Sequence, residues 1–193
     1  PVPRLKTKYD TEVRDALREQ LGLGNVMQVP RLEKIVINMG VGAAVGQPSL
    51  LEGAGKDLTR IAGQKPIITR ARKSIANFKL REGEALGARV TLRGARMWEF
   101  MHRFINVTAP NIRDFRGISS KSFDGRGNYA CGIQEQSIFP EIEIDQIKRQ
   151  IGFDLIFVTS APTDAEGRAL LMELGMPFRD MKKANEVEAV AAN

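Results

Sequence analysis

The hydrophobic pattern changes period several times along the chain, and each change marks an element. Tyr9, Val13, Ala16, Leu17 and Leu21 recur at three- and four-residue intervals, the repeat of a helix with one apolar face. Thr7 and Asp10 have the spacing of a cap ahead of it, and Gly22 and Gly24 end it. From Arg31 to Met39 the residues become β-branched, so a strand there sets Ile35 and Ile37 on a buried face and Lys34, Val36 and Asn38 on the other. A glycine-rich loop, Gly40 to Gly46, follows. Pro48 suits the first position of a second helix carrying Leu50, Leu51, Ala54, Leu58, Ile61 and Ala62, closed by Gly63. Lys65 to Arg70 and Gly87 to Arg93 read as strands. The second alternates, with Ala88, Val90 and Leu92 inward and Arg89, Thr91 and Arg93 outward, and such an outward face is a platform for phosphates and sugars. Between these strands, Ala71 to Glu84 is polar, basic and without helical period. It is too long for a tight hairpin, and long exposed loops are more often functional or mobile than structural.

From Ala95 the helical repeat returns in Met97, Trp98, Met101, Phe104 and Ile105, an apolar stripe that reads as core, with His102 a polar residue beside it. Thr108 to Ser120 is loop-like. Ser122 to Ile133 reads as a hairpin around Asp124-Gly-Arg-Gly127, with Tyr129, Cys131 and Ile133 on one inner face. Pro140 to Asp145 alternates carboxylates with isoleucines, the pattern of a solvated edge strand or of a protein contact. Asp154 to Ser160 is a buried strand, and Thr163 to Glu166 is a capping box opening a last helix with Leu170, Leu171 and Leu174 inward, stopped by Gly175 and Pro177. Residues 181–193 have little to bury and read as a disordered tail. No repeat or linker divides the rest, so residues 1–180 are expected to form a single domain.

Charge sharpens this picture. Between Lys65 and Arg96 nine basic residues stand against two acidic ones, a local +7, while the whole chain is +6. Everything outside the window therefore sums to −1, so the excess is one patch. Such a field attracts a polyanion, and Gln64, Ser74, Asn77 and Thr91 add hydrogen-bonding groups; nucleic acid is the first reading and a solvated cationic face the bland one. One cysteine and one histidine exclude an intrachain disulfide and a His/Cys zinc set. No membrane-length apolar run and no signal-peptide pattern is present, so no membrane association and a cytoplasmic location are expected.

Three motifs imitate catalytic or ligand sites. Gly40-Val-Gly42-Ala-Ala-Val-Gly46 lies between a strand and a helix, but its GxGxxxG spacing is not the dinucleotide fingerprint, and no acidic residue ends the next strand to hold a ribose. Gly55-Lys56 resembles the end of a phosphate loop, yet Asp57 stands where Ser or Thr would hold magnesium and Leu50 where the first glycine belongs. Glu141, Glu143 and Asp145 lack a basic or histidine partner at useful spacing. No catalytic residue, cofactor or metal is expected.

The residues that decide the matter are Leu58-Thr-Arg-Ile-Ala-Gly-Gln64-Lys-Pro-Ile-Ile-Thr69-Arg-Ala-Arg-Lys-Ser74, with Val36-Ile-Asn-Met-Gly40-Val-Gly42 upstream and Arg89-Val-Thr-Leu-Arg93-Gly94 downstream. Together they closely resemble the bacterial family of large ribosomal subunit protein five, the 5S-rRNA-binding proteins, and the likeness runs from the N-terminal helix to about Phe178. It implies an α+β fold: a mainly antiparallel sheet with helices packed on one face and a long projecting basic loop. It also implies a structural role in the large subunit, with 5S rRNA, 23S rRNA, other central-protuberance proteins, the P-site tRNA and small-subunit ribosomal protein thirteen as partners.

Carried onto this chain, the likeness places the 5S rRNA set on Asn38, Gln64 and Thr91, whose amides and hydroxyls both donate and accept and can address a 2′-hydroxyl or a base edge. Lys34, Gly40, Gly42, Lys65, Arg89 and Arg93 flank them. The tRNA-contacting loop falls on Arg72, Lys73, Ser74, Asn77, Phe78, Lys79 and Arg81; Phe78 either stacks on an exposed base or sugar or packs back onto the sheet. The inter-subunit protein contact is assigned to Asn111, Arg113 and Arg116 together with Glu141, Glu143 and Asp145.

Overall fold

The computed structural model describes residues 2–112, 116–147 and 149–179. Its strands are β1 (Leu32–Gly40), β2 (Ile67–Arg70), β3 (Ala85–Leu92), β4 (Tyr129–Ile133) and β5 (Phe153–Thr159). They form a five-stranded antiparallel sheet in the order β2-β3-β1-β5-β4. The helices are α1 (Arg4–Lys8), α2 (Arg14–Gln20), α3 (Pro48–Ala62), α4 (Gly94–Arg103) and α5 (Asp164–Glu173), and the architecture is α+β. Two units are distinguishable: one takes the chain up to Lys34, Arg93–Cys131 and the part from Ile156 onward, the other Ile35–Leu92 and Gly132–Leu155. Among the described residues no helix is long and apolar enough to cross a membrane.

In the first unit the helical run starts earlier than the Thr7 cap suggested, behind Pro3, and Thr7 lies inside it with its hydroxyl donating to the Pro3 carbonyl at 3.4 Å. A π-turn, Tyr9–Val13, joins α1 to α2. Its wider coil brings residues four apart into line, so the buried stripe is Leu5, Tyr9, Val13 and Leu17, and Ala16 is exposed. Tyr9 packs its ring, tilted by 37°, against Trp98 of α4 at 5.6 Å and donates its hydroxyl to the Pro30 carbonyl at 2.9 Å. Phe100, Phe104, Phe157, Tyr129 and Phe178 form a chain of aromatic contacts with centroid separations from 5.3 to 6.4 Å. Phe100 belongs to this core and Ile105 is only half-buried, because α4 passes into a second π-turn at Phe104–Thr108. Ahead of β4 the hairpin has only one bridge, Phe123 to Tyr129, and Cys131 is half-exposed, not buried. Thr163 caps α5 as read from the sequence, its hydroxyl accepting from the Glu166 amide at 3.4 Å.

The second unit carries the candidate site. On one face of β1 and β3, Ile35, Ile37, Met39, Ala88, Val90 and Leu92 are all at most 1% exposed. α3 packs on this face with Leu51, Ala54, Leu58 and Ile61, each large side chain contributing about 1.5–3 kcal/mol by leaving water. Pro48 opens α3, and Gly63 closes it at φ 65°, a left-handed position that glycine adopts without strain.

The Pro140–Asp145 alternation does not make a strand. The segment is a turn followed by a 3-10 helix, Ile144–Gln146; Ile142 is 5% exposed and Ile144 71%. On either side of this stretch the chain is tied together by buried Gln136, which donates to Asp57 Oδ2 at 3.1 Å and to the Arg149 carbonyl at 3.2 Å, and accepts from the Ile151 amide at 2.6 Å.

Candidate nucleic-acid interface

Strand register decides what shares the open face of the second unit. β1 and β3 pair Val36 with Thr91, Asn38 with Arg89 and Gly40 with Gly87. β2 adds Ile67 opposite Arg89 and Thr69 opposite Gly87. Residues opposite one another in an antiparallel ladder point the same way, so the face turned away from α3 presents the rows Ile67-Arg89-Asn38 and Thr69-Gly87-Gly40, with Val36 and Thr91 beyond. Asn38, Thr69 and Thr91 are half-buried, Arg89 and Ile67 exposed. Gln64 follows the Gly63 cap and donates to the Thr91 carbonyl at 3.4 Å, which brings it to the edge of the same face. Lys65 is exposed beside it. Gly42 opens a 3-10 turn, Gly42–Val45, just past β1. Lys34 and Arg93 fall in the other unit, half-buried and exposed respectively. Ile67 and Thr69 escaped the sequence reading, since β2 has no clear alternation and its register is set only by pairing with β3.

The 71–84 segment has more order than its aperiodic sequence suggests. It is the end of the β2–β3 hairpin, closed at its base by the Ala71 amide on the Glu84 carbonyl at 2.8 Å and the Gly83 amide on the Ala71 carbonyl at 3.0 Å. A second closure, the Ile75–Leu80 bridge, surrounds the 3-10 turn Ala76–Phe78 and Lys79 at φ 52°. Ser74 accepts from the Glu82 amide at 2.9 Å, so this hydroxyl oxygen holds the loop's own shape. Arg72, Lys73, Asn77, Phe78, Lys79 and Arg81 are exposed, Phe78 by 73%, which excludes packing back onto the sheet. Among the described residues Arg72, Lys73, Lys79, Arg81, Arg89 and Arg93 carry no ion pair, so their charge is directed to solvent or to a partner.

The third assigned group is divided between the two units. Asn111 and Arg116 are exposed in the first unit, whereas half-buried Glu141 and exposed Glu143 and Asp145 belong to the second. Arg113 lies outside the described residues, as does the 181–193 tail. Among the described residues no group of three or more His, Cys, Asp or Glu side chains is placed to hold a metal ion.

A sheet face that sets amides and hydroxyls beside Arg89, next to a hairpin end bearing exposed cations, has the chemistry of a structural protein suited to a polyanionic partner. Residues 25–81 match the family model described as Ribosomal protein L5, and residues 85–178 the one described as ribosomal L5P family C-terminus. Large ribosomal subunit protein uL5 of Streptomyces coelicolor is 60% identical over 178 residues, 92% of this chain and 96% of that protein. The uL5 proteins of Clostridium tetani (59% identical, covering 92% of this chain and 98% of theirs) and Roseiflexus sp. strain RS-1 (56%, covering 93% and 99%) are similar to it along the same span. The chain belongs to the ribosomal protein L5 family. It is a structural protein of the large ribosomal subunit rather than an enzyme, and its place is the cytoplasmic ribosome.

Proposed function

We propose that the open sheet face of the second unit binds 5S rRNA in the central protuberance, near 23S rRNA and other protuberance proteins. The observation that carries this reading is the register: it sets Asn38 and Arg89 in one cross-strand row, with Thr91 one pair along and Gln64 at the edge. Amide and hydroxyl groups there distinguish a 2′-hydroxyl or base edge, and Lys34, Lys65, Arg89 and Arg93 fix the register of phosphates. Gly40 and Gly42 bring main chain to the surface at the end of β1.

The hairpin end then serves a different RNA. Arg72, Lys73, Lys79 and Arg81 make phosphate contacts to the P-site tRNA, with Asn77 adding hydrogen bonds and Phe78 stacking on a base or sugar; Ser74 holds the hairpin's shape. Contact with small-subunit ribosomal protein thirteen uses Asn111, Arg113 and Arg116 and the Glu141, Glu143 and Asp145 carboxylates, the latter against a basic partner. Binding of the purified chain to 5S rRNA across a salt series tests the first claim: affinity falls steeply as salt rises, because phosphate contacts release counterions. A flat slope points to a protein-only surface. Reversing the three carboxylates to lysine should impair subunit association at low magnesium and leave 5S rRNA binding intact; unchanged association removes them from the bridge.

A further inference from the structure

Of the two glycines in the open-face rows of β1 and β3, the fold accounts for one. Gly87 is crowded from within: a Cβ there would lie 2.5 Å from the Met39 carbonyl oxygen and 2.9 Å from Thr69 Oγ1. Gly63 is required by its left-handed φ. Gly40 is neither. Its φ is outside the left-handed region, and no atom lies within 4 Å of where its Cβ would stand. It is the exposed last residue of β1, laddered to Gly87. A glycine in a strand forfeits backbone entropy and a packed side chain, and where nothing inside the fold requires it, the remaining reason is close approach from outside.

What surrounds Gly40 indicates what approaches. Of the two glycines side by side in this row, Gly87 is buried under the Thr69 hydroxyl and only Gly40 is exposed, so the slot on this face lies over the Gly40 main chain. Thr69 stands at its end, with its hydroxyl directed over Gly87. Asn38 and Arg89 line the next row. Among the described residues nothing hydrogen-bonds the Thr69 hydroxyl or the Asn38 amide. The group at the slot's end is thus a neutral donor and acceptor, which suits a sugar hydroxyl, while the cation that suits a phosphate stands one row away.

We propose that this slot seats a ribose of the bound RNA strand, its 2′-hydroxyl within reach of Thr69 and its adjoining phosphate on Arg89. The proposal rests on the sheet-face reading and adds Thr69 as a contact and Gly40 as a steric requirement imposed by the partner. A side chain at Gly40 is compatible with the fold and incompatible with the ligand.

The test measures 5S rRNA affinity at fixed salt, and thermal stability, for Gly40→Ala, Gly40→Val, Thr69→Val and, as controls for the face itself, Asn38→Ala and Thr91→Val. Gly40→Ala is expected to bind a few-fold more weakly and Gly40→Val at least about tenfold, each with a Tm equal to or above wild type. Thr69→Val, which keeps shape and strand preference, should lose roughly three- to tenfold. If Gly40→Ala and Gly40→Val bind as wild type while Asn38→Ala or Thr91→Val is weakened, the slot is wrong and the face reading stands. If Asn38→Ala and Thr91→Val also bind as wild type, the face reading fails and takes the slot with it. Should Gly40→Val lower the Tm, Gly40→Ala decides: normal stability with normal affinity overturns the proposal.

Discussion

Replacing Gln136 by leucine removes the side chain that ties the 132–155 segment to α3, and the structure gives the cost. The residue is 1% exposed and makes three hydrogen bonds. The Ile151 amide, donating to it at 2.6 Å from a buried residue, is orphaned by the change, which costs about 1–3 kcal/mol. Asp57 loses a charge-assisted bond, but it is only half-buried, so solvent screening leaves about 0.5–1 kcal/mol of that. The Arg149 carbonyl belongs to an exposed residue and finds water. A gain from burying leucine offsets part of the loss, and the net destabilisation is about 2–3 kcal/mol, a sizeable share of a total stability of roughly 5–15 kcal/mol. Urea unfolding with linear extrapolation measures it. Gln136→Glu sharpens the test: it keeps an acceptor for Ile151 but sets a second carboxylate against Asp57, so it should be worse than leucine at neutral pH and recover in mild acid. A leucine variant within about 0.5 kcal/mol of wild type would refute the reasoning.

Burial raises the Asp57 carboxyl above its ordinary value against the opposing pull of Gln136 and Arg60; the folded chain then holds the extra proton, and stability rises as pH falls from the folded value toward the unfolded one. Asp57→Asn should therefore stabilise the protein at neutral pH and flatten that part of the curve, and urea titrations superimposing on wild type at every pH would contradict it. Thr163→Ala removes the α5 cap bond, long at 3.4 Å, and should cost about 0.5–1 kcal/mol in the same assay. Replacing Ser74 to Arg81 by a short glycine-serine turn leaves the Ala71–Glu84 closure in place; it should spare folding and 5S rRNA binding, weaken tRNA retention, and lower the salt slope for tRNA by roughly one to two units through loss of Lys79 and Arg81. Loss of 5S rRNA binding instead would assign the hairpin to the first site.

The parts of the fold legible in the sequence are those in which one residue's chemistry settles its local geometry. Pro48 and Gly63 bracket α3, Thr163 caps α5, and the alternation of Ala88, Val90 and Leu92 gave β3 its buried face. What escaped depends on neighbours remote in sequence. Tyr9, Val13 and Leu17 are legible in the helical repeat, but Leu5 joins their stripe and Ala16 leaves it at a π-turn that no residue announces. Ile142 and Ile144 alternate like a strand, yet the segment turns into a 3-10 helix that buries the first and exposes the second. Asn38, Gln64 and Thr91 came from family likeness, while Thr69 and Ile67 join their face only through the β2–β3 register. The hairpin end looked structureless because its two closures are backbone bonds, which leave no periodic trace.

The most direct test of the central claim is 5S rRNA binding by Asn38→Ala and Thr91→Val. Each removes a hydrogen-bonding group from the open face without touching the buried one. Each is expected to weaken binding by about 1–3 kcal/mol with unfolding midpoints close to wild type. Wild-type affinity in both would contradict the assignment of this face to RNA.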